Sequence, residues 1–201
     1  ETNKNLILNG APGTGKTFLA KQIAAGIIYG NNVPKEFEND ITFKTQCKLV
    51  QFHPSYDYTD FVEGLRPIEK DGNIGFERKD GVFKEFCKEA ISSNKTFVFI
   101  IDEINRGEVS KIFGELFYSI DPGYRGEKGK VLTQYQNLIE DNDTFKDGFY
   151  VPENVYIIGT MNDIDRSVES MDFAFRRRFA FVEIKAEDRL SMLDELNDES
   201  L

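Results

Sequence analysis

The sequence is poor in residues that bind metals through nitrogen and sulfur. It has one histidine, His53, and two cysteines, Cys47 and Cys87, which lie in no Cys/His cluster. A single histidine excludes a His-based metal cluster, and isolated cysteines argue against a structural zinc site. We expect two reduced, buried thiols, as in a cytoplasmic protein. His53 is expected to pack or to hydrogen-bond at a strand end.

Long apolar runs and an excess of basic residues are also missing. No apolar stretch approaches the ~20 residues that span a bilayer, and no signal peptide is visible, so no membrane partner is expected. The formal net charge is −10 and the sequence pI is about 4.8. This balance argues against a broad basic surface for nucleic acid, although it leaves room for a local basic patch.

The strongest positive signal is a phosphate-loop motif near the start of the chain. Two glycines five positions apart, followed by Lys and Thr, occur within Gly10, Ala11, Pro12, Gly13, Thr14, Gly15, Lys16 and Thr17. Such glycines let the backbone curl so that its N–H groups point at an anion. Lys16 would meet the β- and γ-phosphates, and the Thr17 hydroxyl can ligate Mg²⁺. Strand and helix patterns on either side favour this interpretation over a chance glycine-rich turn.

Short apolar runs alternate with helical patterns along the chain. The predicted strands cover residues 6–8, 48–52, 97–101, 155–158 and 179–184. The predicted helices run from the phosphate loop to residue 29 and over residues 58–63, 82–91 and 112–120. This alternation predicts an α/β fold with a five-stranded parallel sheet flanked by helices. Ligands of such sheets bind at the carboxyl ends of the strands.

The connections carry weaker signals. Asp71-Gly72 predicts a β-hairpin insertion across residues 64–80. Residues 130–132 are predicted as a further strand and residues 140–143 as a mobile tip, whereas residues 35–46 show no clear pattern.

Adjacent carboxylates follow the central apolar strand. Asp102 would hold Mg²⁺, directly or through water, and Glu103 would orient and deprotonate an attacking water molecule. Taken alone, an acidic pair after a strand is a weak signal, because it is also consistent with a solvated strand end. The phosphate loop upstream favours the catalytic interpretation.

Polar residues follow the next strand. Asn162 could hydrogen-bond the γ-phosphate or the attacking water, or could simply cap a loop. For Asp163 and Asp165, a functional role and a capping role are both open. Asp165 would cap the turn that includes Ser167.

Three consecutive arginines precede the last predicted strand. Arg176, Arg177 and Arg178 could form a solvated basic face. Alternatively, one of them is an arginine finger that reaches the γ-phosphate of a neighbouring subunit. The second interpretation requires an oligomer, because these residues are not expected to meet the phosphate loop within one subunit.

In chain order, these motifs resemble the AAA+ nucleotidases. That family would assign the phosphate loop as Walker A, Asp102-Glu103 as Walker B, Asn162 as sensor 1 and residues 176–178 as the arginine-finger segment. The resemblance implies an AAA+ P-loop core over residues 1–186. It also implies that residues 187–201 begin a truncated C-terminal helical lid.

Four further segments resemble the McrB branch of this family. They cover residues 50–56, 60–67, 101–107 and 156–162. McrB-like proteins are motors of modification-dependent restriction. The resemblance implies GTP hydrolysis with Mg²⁺ in a homo-oligomeric, hexameric ring, translocation of DNA and a McrC-like nuclease partner.

One departure leaves the nucleotide base open. The family usually has Asn-Thr-Ala-Asp where this chain has Asn162-Asp163-Ile164-Asp165, a stretch associated with guanine preference. Two alternatives therefore stand beside a GTPase motor. One is an ATP-hydrolysing MoxR or dynein-related remodeller of proteins, and the other is a nucleotide-gated scaffold that barely hydrolyses.

Overall fold

The computed structural model describes residues 3–70, 72–162 and 173–185. In chain order, the strands are β1 (Asn5–Gly10), β2 (Cys47–Gln51), β3 (Glu63–Lys70), β4 (Asn73–Asp80), β5 (Phe97–Asp102), β6 (Val155–Asn162) and β7 (Ala180–Ile184). The helices are α1 (Lys16–Tyr29), α2 (Ile41–Gln46), α3 (Tyr58–Phe61), α4 (Val82–Ile91), α5 (Val109–Phe113), α6 (Leu116–Ser119) and α7 (Phe173–Arg176). Single 3₁₀ turns occur at Phe37–Asn39, Ile104–Arg106, Pro122–Tyr124, Glu127–Gly129 and Gln136–Leu138.

One sheet contains β1, β2, β5, β6 and β7 in the order β2-β5-β6-β1-β7, and every neighbouring pair is parallel. The predicted five-stranded α/β architecture is confirmed. The register aligns Gly10 of β1 with Asn162 of β6, and Gln51 of β2 with Asp102 of β5. The phosphate loop and the polar strand ends therefore meet at one edge of the sheet.

Alternate residues of the central strands pack on opposite faces of this sheet, because successive side chains of a strand point in opposite directions. On β5, Val98 and Ile100 belong to the core beneath α1, which includes Ala20 and Ala24. Phe99 belongs to the core on the other face. Both faces are covered, which explains why β5 is almost continuously apolar.

The second core is rich in aromatic rings. Phe61 stacks on Phe83 with 4.7 Å between ring centroids, and it lies 4.8 Å from Phe113. This packing anchors α3, α4 and α5 on the same face of the sheet. Aromatic pairs of this kind add about 0.5–1.5 kcal/mol to the free energy of area burial.

The predicted β-hairpin is confirmed. Strands β3 and β4 pair antiparallel from Glu63 opposite Asp80 to Lys70 opposite Asn73, in a sheet of their own. Part of the outer surface is apolar, since Ile74 is 82% exposed.

Charged side chains fasten the base of the hairpin to α4 and to the loop before β6. Lys84, fully buried on α4, donates to Glu63 Oε2 at 2.7 Å, and Arg78 Nη1 donates to the same oxygen at 3.1 Å. Lys88 Nζ donates to Asp143 Oδ2 at 2.6 Å. Asp80 accepts from Arg78 and Lys88 and completes the network. The predicted mobile tip at 140–143 is therefore wrong for Asp143, whose carboxylate is held by two cations.

Three further local predictions need correction. Residues 35–46 contain α2, which Asp40 caps by accepting from Thr42 N at 2.7 Å and Phe43 N at 3.4 Å. The single helix predicted over 112–120 is two short helices, because the chain turns at Gly114 with φ +49°. The strand predicted at 130–132 is one isolated bridge between Val131 and Phe149. Residues 187–201, predicted to begin a helical lid, lie outside the described part of the chain.

Both cysteines are free thiols. Cys87 is buried as predicted, whereas Cys47 is only half-buried. Burial raises the pKa of both thiols, that of Cys47 to about 12, so neither is an activated thiolate. No helix within the described ranges has the length and apolarity that crossing a bilayer requires.

Candidate functional site

The phosphate loop connects the end of β1 to the start of α1. Gly13 has φ +80° and Gly15, the residue before the helix, has φ +71°, which are conformations that favour glycine. Lys16 Nζ donates to Gly10 O at 3.0 Å and to Ala11 O at 2.7 Å. The ammonium group therefore lies inside the curve of the loop, next to the positive end of α1.

Gly10 serves the sheet rather than the curl of the loop. A Cβ atom at this position would lie 2.3 Å from the carbonyl oxygen of Ile184 on β7. The first glycine of the motif thus allows β7 to approach β1 closely.

Asp102 lies at the end of β5 beside this loop. Thr17 Oγ1 donates to Asp102 Oδ1 at 2.7 Å, and Thr160 Oγ1 donates to the same oxygen at 2.6 Å. The contact with Thr17 brings the two predicted metal ligands together. Thr160 was not predicted from the sequence. Its position on β6, two residues before Asn162 and on the same face of the strand, was the available signal.

Glu103 follows Asp102 and turns toward β6. Its φ of +53° is the only positive φ among the described non-glycine residues. Asn162 Nδ2 donates to Glu103 Oε1 at 2.7 Å and to Oε2 at 2.9 Å, and Arg106 Nε lies 3.3 Å from Oε2. The sequence predicted Glu103 and Asn162 separately; the structure brings them into direct contact. Arg106 was not predicted as part of this group.

Residues of the phosphate loop and of the ends of β5 and β6 line one cleft of about 330 Å³. The phosphate loop contributes one wall, and Asp102, Glu103, Thr160 and Asn162 contribute the other. The cleft therefore combines anion-binding backbone, a cation and two carboxylates, as hydrolysis of a phosphoanhydride requires.

The donor set fits Mg²⁺. The hydroxyl of Thr17 and the carboxylate of Asp102 are hard oxygen donors within 2.7 Å of each other. In the described ranges no three His, Cys, Asp or Glu side chains form a metal cluster. Mg²⁺ binds through one or two protein oxygens together with substrate phosphates and water, so this pair suffices.

The segment with the three arginines lies at the other end of the parallel strands. Arg178 O accepts from Asn5 Nδ2 at 2.8 Å, which places this segment at the start of β1. Gly10, where the loop begins, is five residues further on, about 17 Å along the strand. Within one subunit the arginines and the phosphate loop are therefore at opposite ends of β1.

The arginines differ in exposure. Arg178 is 7% exposed, its Nε lies 3.5 Å from Asp121 Oδ2 and its guanidinium lies over the ring of Phe117 at 5.8 Å. Arg176 and Arg177 are exposed. Arg178 is thus held in the interior, whereas the other two can be presented to a neighbour.

Two other sequence predictions are settled only in part. His53 is exposed, and its Nδ1 accepts from Ser55 N at 3.3 Å, so it hydrogen-bonds just after β2 as predicted. Asp163 and Asp165 lie outside the described residues.

Together, the fold and the cleft define the core of a P-loop nucleoside triphosphatase. A family model, the AAA domain of the dynein-related subfamily, matches residues 5–179. The chain belongs to this family, which confirms the resemblance to AAA+ nucleotidases.

Two curated restriction proteins are similar in sequence. The Type IV methyl-directed restriction enzyme EcoKMcrB subunit of Escherichia coli K12 is 45% identical over 183 residues, which cover 90% of this chain and 35% of that protein. The Type II restriction enzyme BsuMI component YdiS of Bacillus subtilis 168 is 28% identical over 218 residues, covering 95% of this chain and 60% of that protein. The chain thus spans about a third and three fifths of these relatives.

Proposed function

We propose that this chain is the nucleotide-hydrolysing core of a McrB-type restriction motor that uses GTP. The observation that carries the proposal is the placement of Asp102, Glu103 and Asn162 against the phosphate loop. The 45% identity to the EcoKMcrB subunit supports the restriction context. In this proposal, GTP hydrolysis drives translocation of DNA and activates a McrC-like nuclease subunit.

The residues of the cleft would divide the chemistry as follows. Glu103 would accept a proton from the attacking water, and Asn162, which holds that carboxylate at 2.7 Å, would orient it. Lys16 would balance the negative charge that develops on the transferred phosphoryl group. Thr17 and Asp102 would hold Mg²⁺, which supplies charge neutralisation at the phosphates when bound.

A homo-oligomeric ring, hexameric in the McrB branch, would complete the site. Arg176 or Arg177 would reach the γ-phosphate bound by the next subunit, because both are exposed and lie at the edge of the sheet opposite their own phosphate loop. The buried Arg178 would support the segment that carries them.

DNA would be contacted outside this segment, by other parts of the full-length protein or by the nuclease complex. The formal net charge of −10 makes the chain a poor general surface for DNA, since nucleic-acid affinity depends on neutralising phosphates.

The test is steady-state hydrolysis of GTP and ATP by the full-length protein in Mg²⁺, with and without its nuclease subunit and DNA. We expect kcat/KM for GTP to exceed that for ATP by at least about tenfold, equivalent to about 1.4 kcal/mol of transition-state discrimination. DNA cleavage should require GTP. Equal or better use of ATP would favour the protein-remodelling alternative, and absence of turnover by an assembled ring would favour the scaffold.

A further inference from the structure

A single hydroxyl group connects the two acidic residues of the cleft. Glu103 N donates to Thr160 Oγ1 at 3.1 Å, and Thr160 Oγ1 donates to Asp102 Oδ1 at 2.6 Å. A backbone N–H is always a donor, so the Thr160 oxygen is the acceptor in the first bond. Its own proton is therefore directed at Asp102.

The pairing of β5 with β6 determines this arrangement. Ile101 of β5 is paired with Gly159 of β6, which brings Asp102 and Thr160 side by side at the next step. Thr160 is only 2% exposed. A β-branched side chain has restricted χ1 rotamers, so its hydroxyl has little freedom to turn away.

The contact with Asp102 fixes the rotation of a carboxylate. Asp102 Oδ1 accepts from two hydroxyls, Thr17 on α1 and Thr160 on β6. Two donors from different elements hold one oxygen in place, and the other oxygen of the rigid carboxylate follows. A hydrogen-bonded second layer of this kind orients metal-holding carboxylates in proteins.

The contact with Glu103 stabilises an unfavourable backbone conformation. At φ +53° and ψ +44°, Glu103 lies in the left-handed region, which costs free energy for any residue with a Cβ atom. The bond from its N–H to Thr160 stabilises this turn. This backbone conformation places the Glu103 carboxylate against Asn162.

We infer that Thr160 is a positioning residue that links metal holding by Asp102 to the orientation of Glu103. The inference rests on the proposed function of this cleft and extends it to a residue that acts through the two carboxylates. Loss of the hydroxyl should weaken Mg²⁺ binding and lower turnover together. Nucleotide affinity without Mg²⁺ should stay unchanged, because the phosphate loop itself is not altered.

The test compares Thr160→Val, which removes the hydroxyl at similar volume, with Thr160→Ser, which keeps it. The control is Thr133→Val, since Thr133 is also buried and its hydroxyl contacts Gln136 Oε1 at 3.3 Å and Glu63 at the base of the hairpin, both outside the cleft. In the full-length protein we would measure GTP turnover against Mg²⁺ concentration. Binding of a fluorescent GTP analogue would be measured with Mg²⁺ and with EDTA.

For Thr160→Val, we expect the Mg²⁺ concentration for half-maximal turnover to rise and kcat to fall, each by about tenfold or more. Binding in EDTA should be unchanged, and the Mg²⁺-dependent gain in affinity should shrink. Thr160→Ser should retain most of the Mg²⁺ affinity and turnover of the wild type, and Thr133→Val should change neither.

Three results would overturn the inference. One is a Thr160→Val protein with the wild-type Mg²⁺ response. Another is equal impairment of the Val and Ser variants, and the third is impairment that follows a fall in Tm alone. The binding measurement does not depend on hydrolysis. A ring that never hydrolyses GTP would therefore reject the proposed function, while the comparison of Mg²⁺-dependent binding would still decide the role of Thr160.

Discussion

Glu103 has a left-handed backbone conformation, which for a non-glycine residue costs about 1–2 kcal/mol. The cost is offset by the bond from Glu103 N to Thr160 Oγ1 and by the donation from Asn162 Nδ2 to both oxygens of the carboxylate. The side chain is thereby held between β5 and β6, where attacking water would be activated. Backbone strain at such a position is typical of functional sites.

The residue-scale prediction is that Glu103→Gln binds nucleotide but loses turnover. The amide keeps the size of the side chain and has no basic oxygen, so kcat should fall by about 10²-fold or more with little change in nucleotide affinity. Glu108→Gln is the matched control, because Glu108 is exposed and forms an ion pair with Lys111 at 2.6 Å, away from the cleft. Single-turnover kinetics and nucleotide binding measure the two effects. Wild-type turnover by Glu103→Gln would reject Glu103 as the base.

At the scale of elements, the hairpin is fixed by charge as well as by strand pairing. Burial alone would raise the pKa of Glu63, but hydrogen bonds from Lys84 and Thr133 and the charge of Lys84 lower this pKa below its ordinary value of 4.5. The ionised form of Glu63 is thus favoured in the folded protein. A carboxyl group with a lowered pKa stabilises the fold above its unfolded-state pKa, and the contribution is lost as the pH falls through the folded-state pKa.

We therefore predict that Glu63→Gln destabilises the protein by about 3 kcal/mol at pH 7, since it leaves the buried Lys84 ammonium without its closest carboxylate. The difference from wild type should shrink as the pH falls below the ordinary glutamate pKa of 4.5 toward the lowered folded-state pKa, because the stabilisation by the ionised carboxylate is lost there. Urea unfolding across pH 3–8 measures both effects. Glu77→Gln on the same hairpin is the control, because its carboxylate is 55% exposed, and it should cost less than about 0.5 kcal/mol. A pH-independent difference for Glu63→Gln would contradict the assignment.

At the scale of the whole molecule, the arginine segment and the phosphate loop lie at opposite ends of the parallel strands. The phosphate loop lies at the carboxyl end of β1, and the arginine segment contacts the amino end of the same strand through Asn5. In the proposed ring, a cation from residues 176–177 would therefore serve the site of a neighbouring subunit. Hydrolysis would then depend on assembly of the ring.

If the arginine acts between subunits, the turnover lost in an arginine variant should be recovered in mixed rings. We expect Arg176→Ala or Arg177→Ala, whichever removes the finger, to lower turnover by about 10³-fold in the assembled ring. Mixed rings of that variant with Glu103→Gln should regain activity, because some interfaces then combine an intact Glu103 with an intact arginine. Arg66→Ala is the control, since Arg66 is exposed and pairs with Asp60 at 2.9 Å on the hairpin side. No recovery in verified mixed rings would argue against action between subunits.

Local patterns were enough to predict most of the fold and the chemical types at the site. The phosphate loop, the buried strands and the carboxylates after β5 are each encoded by neighbouring residues, so periodicity and motif spacing reveal them. The errors have local causes as well. Helix α2 is too short to show a period, and Gly114 interrupts what resembles one continuous amphipathic helix.

The sequence by itself determined that a nucleotide-binding α/β core forms, because each strand, helix and loop carries its own signal. Only the tertiary structure decided which side chains meet. Register between strands far apart in the chain brought Thr160 to Asp102 and Asn162 to Glu103, and the approach of β7 required Gly10. Packing against Phe117 and Asp121 buried Arg178 and left its two neighbours exposed. These contacts join residues that are far apart in the chain, 59 positions for Asn162 and Glu103, and no local pattern records which of them will meet.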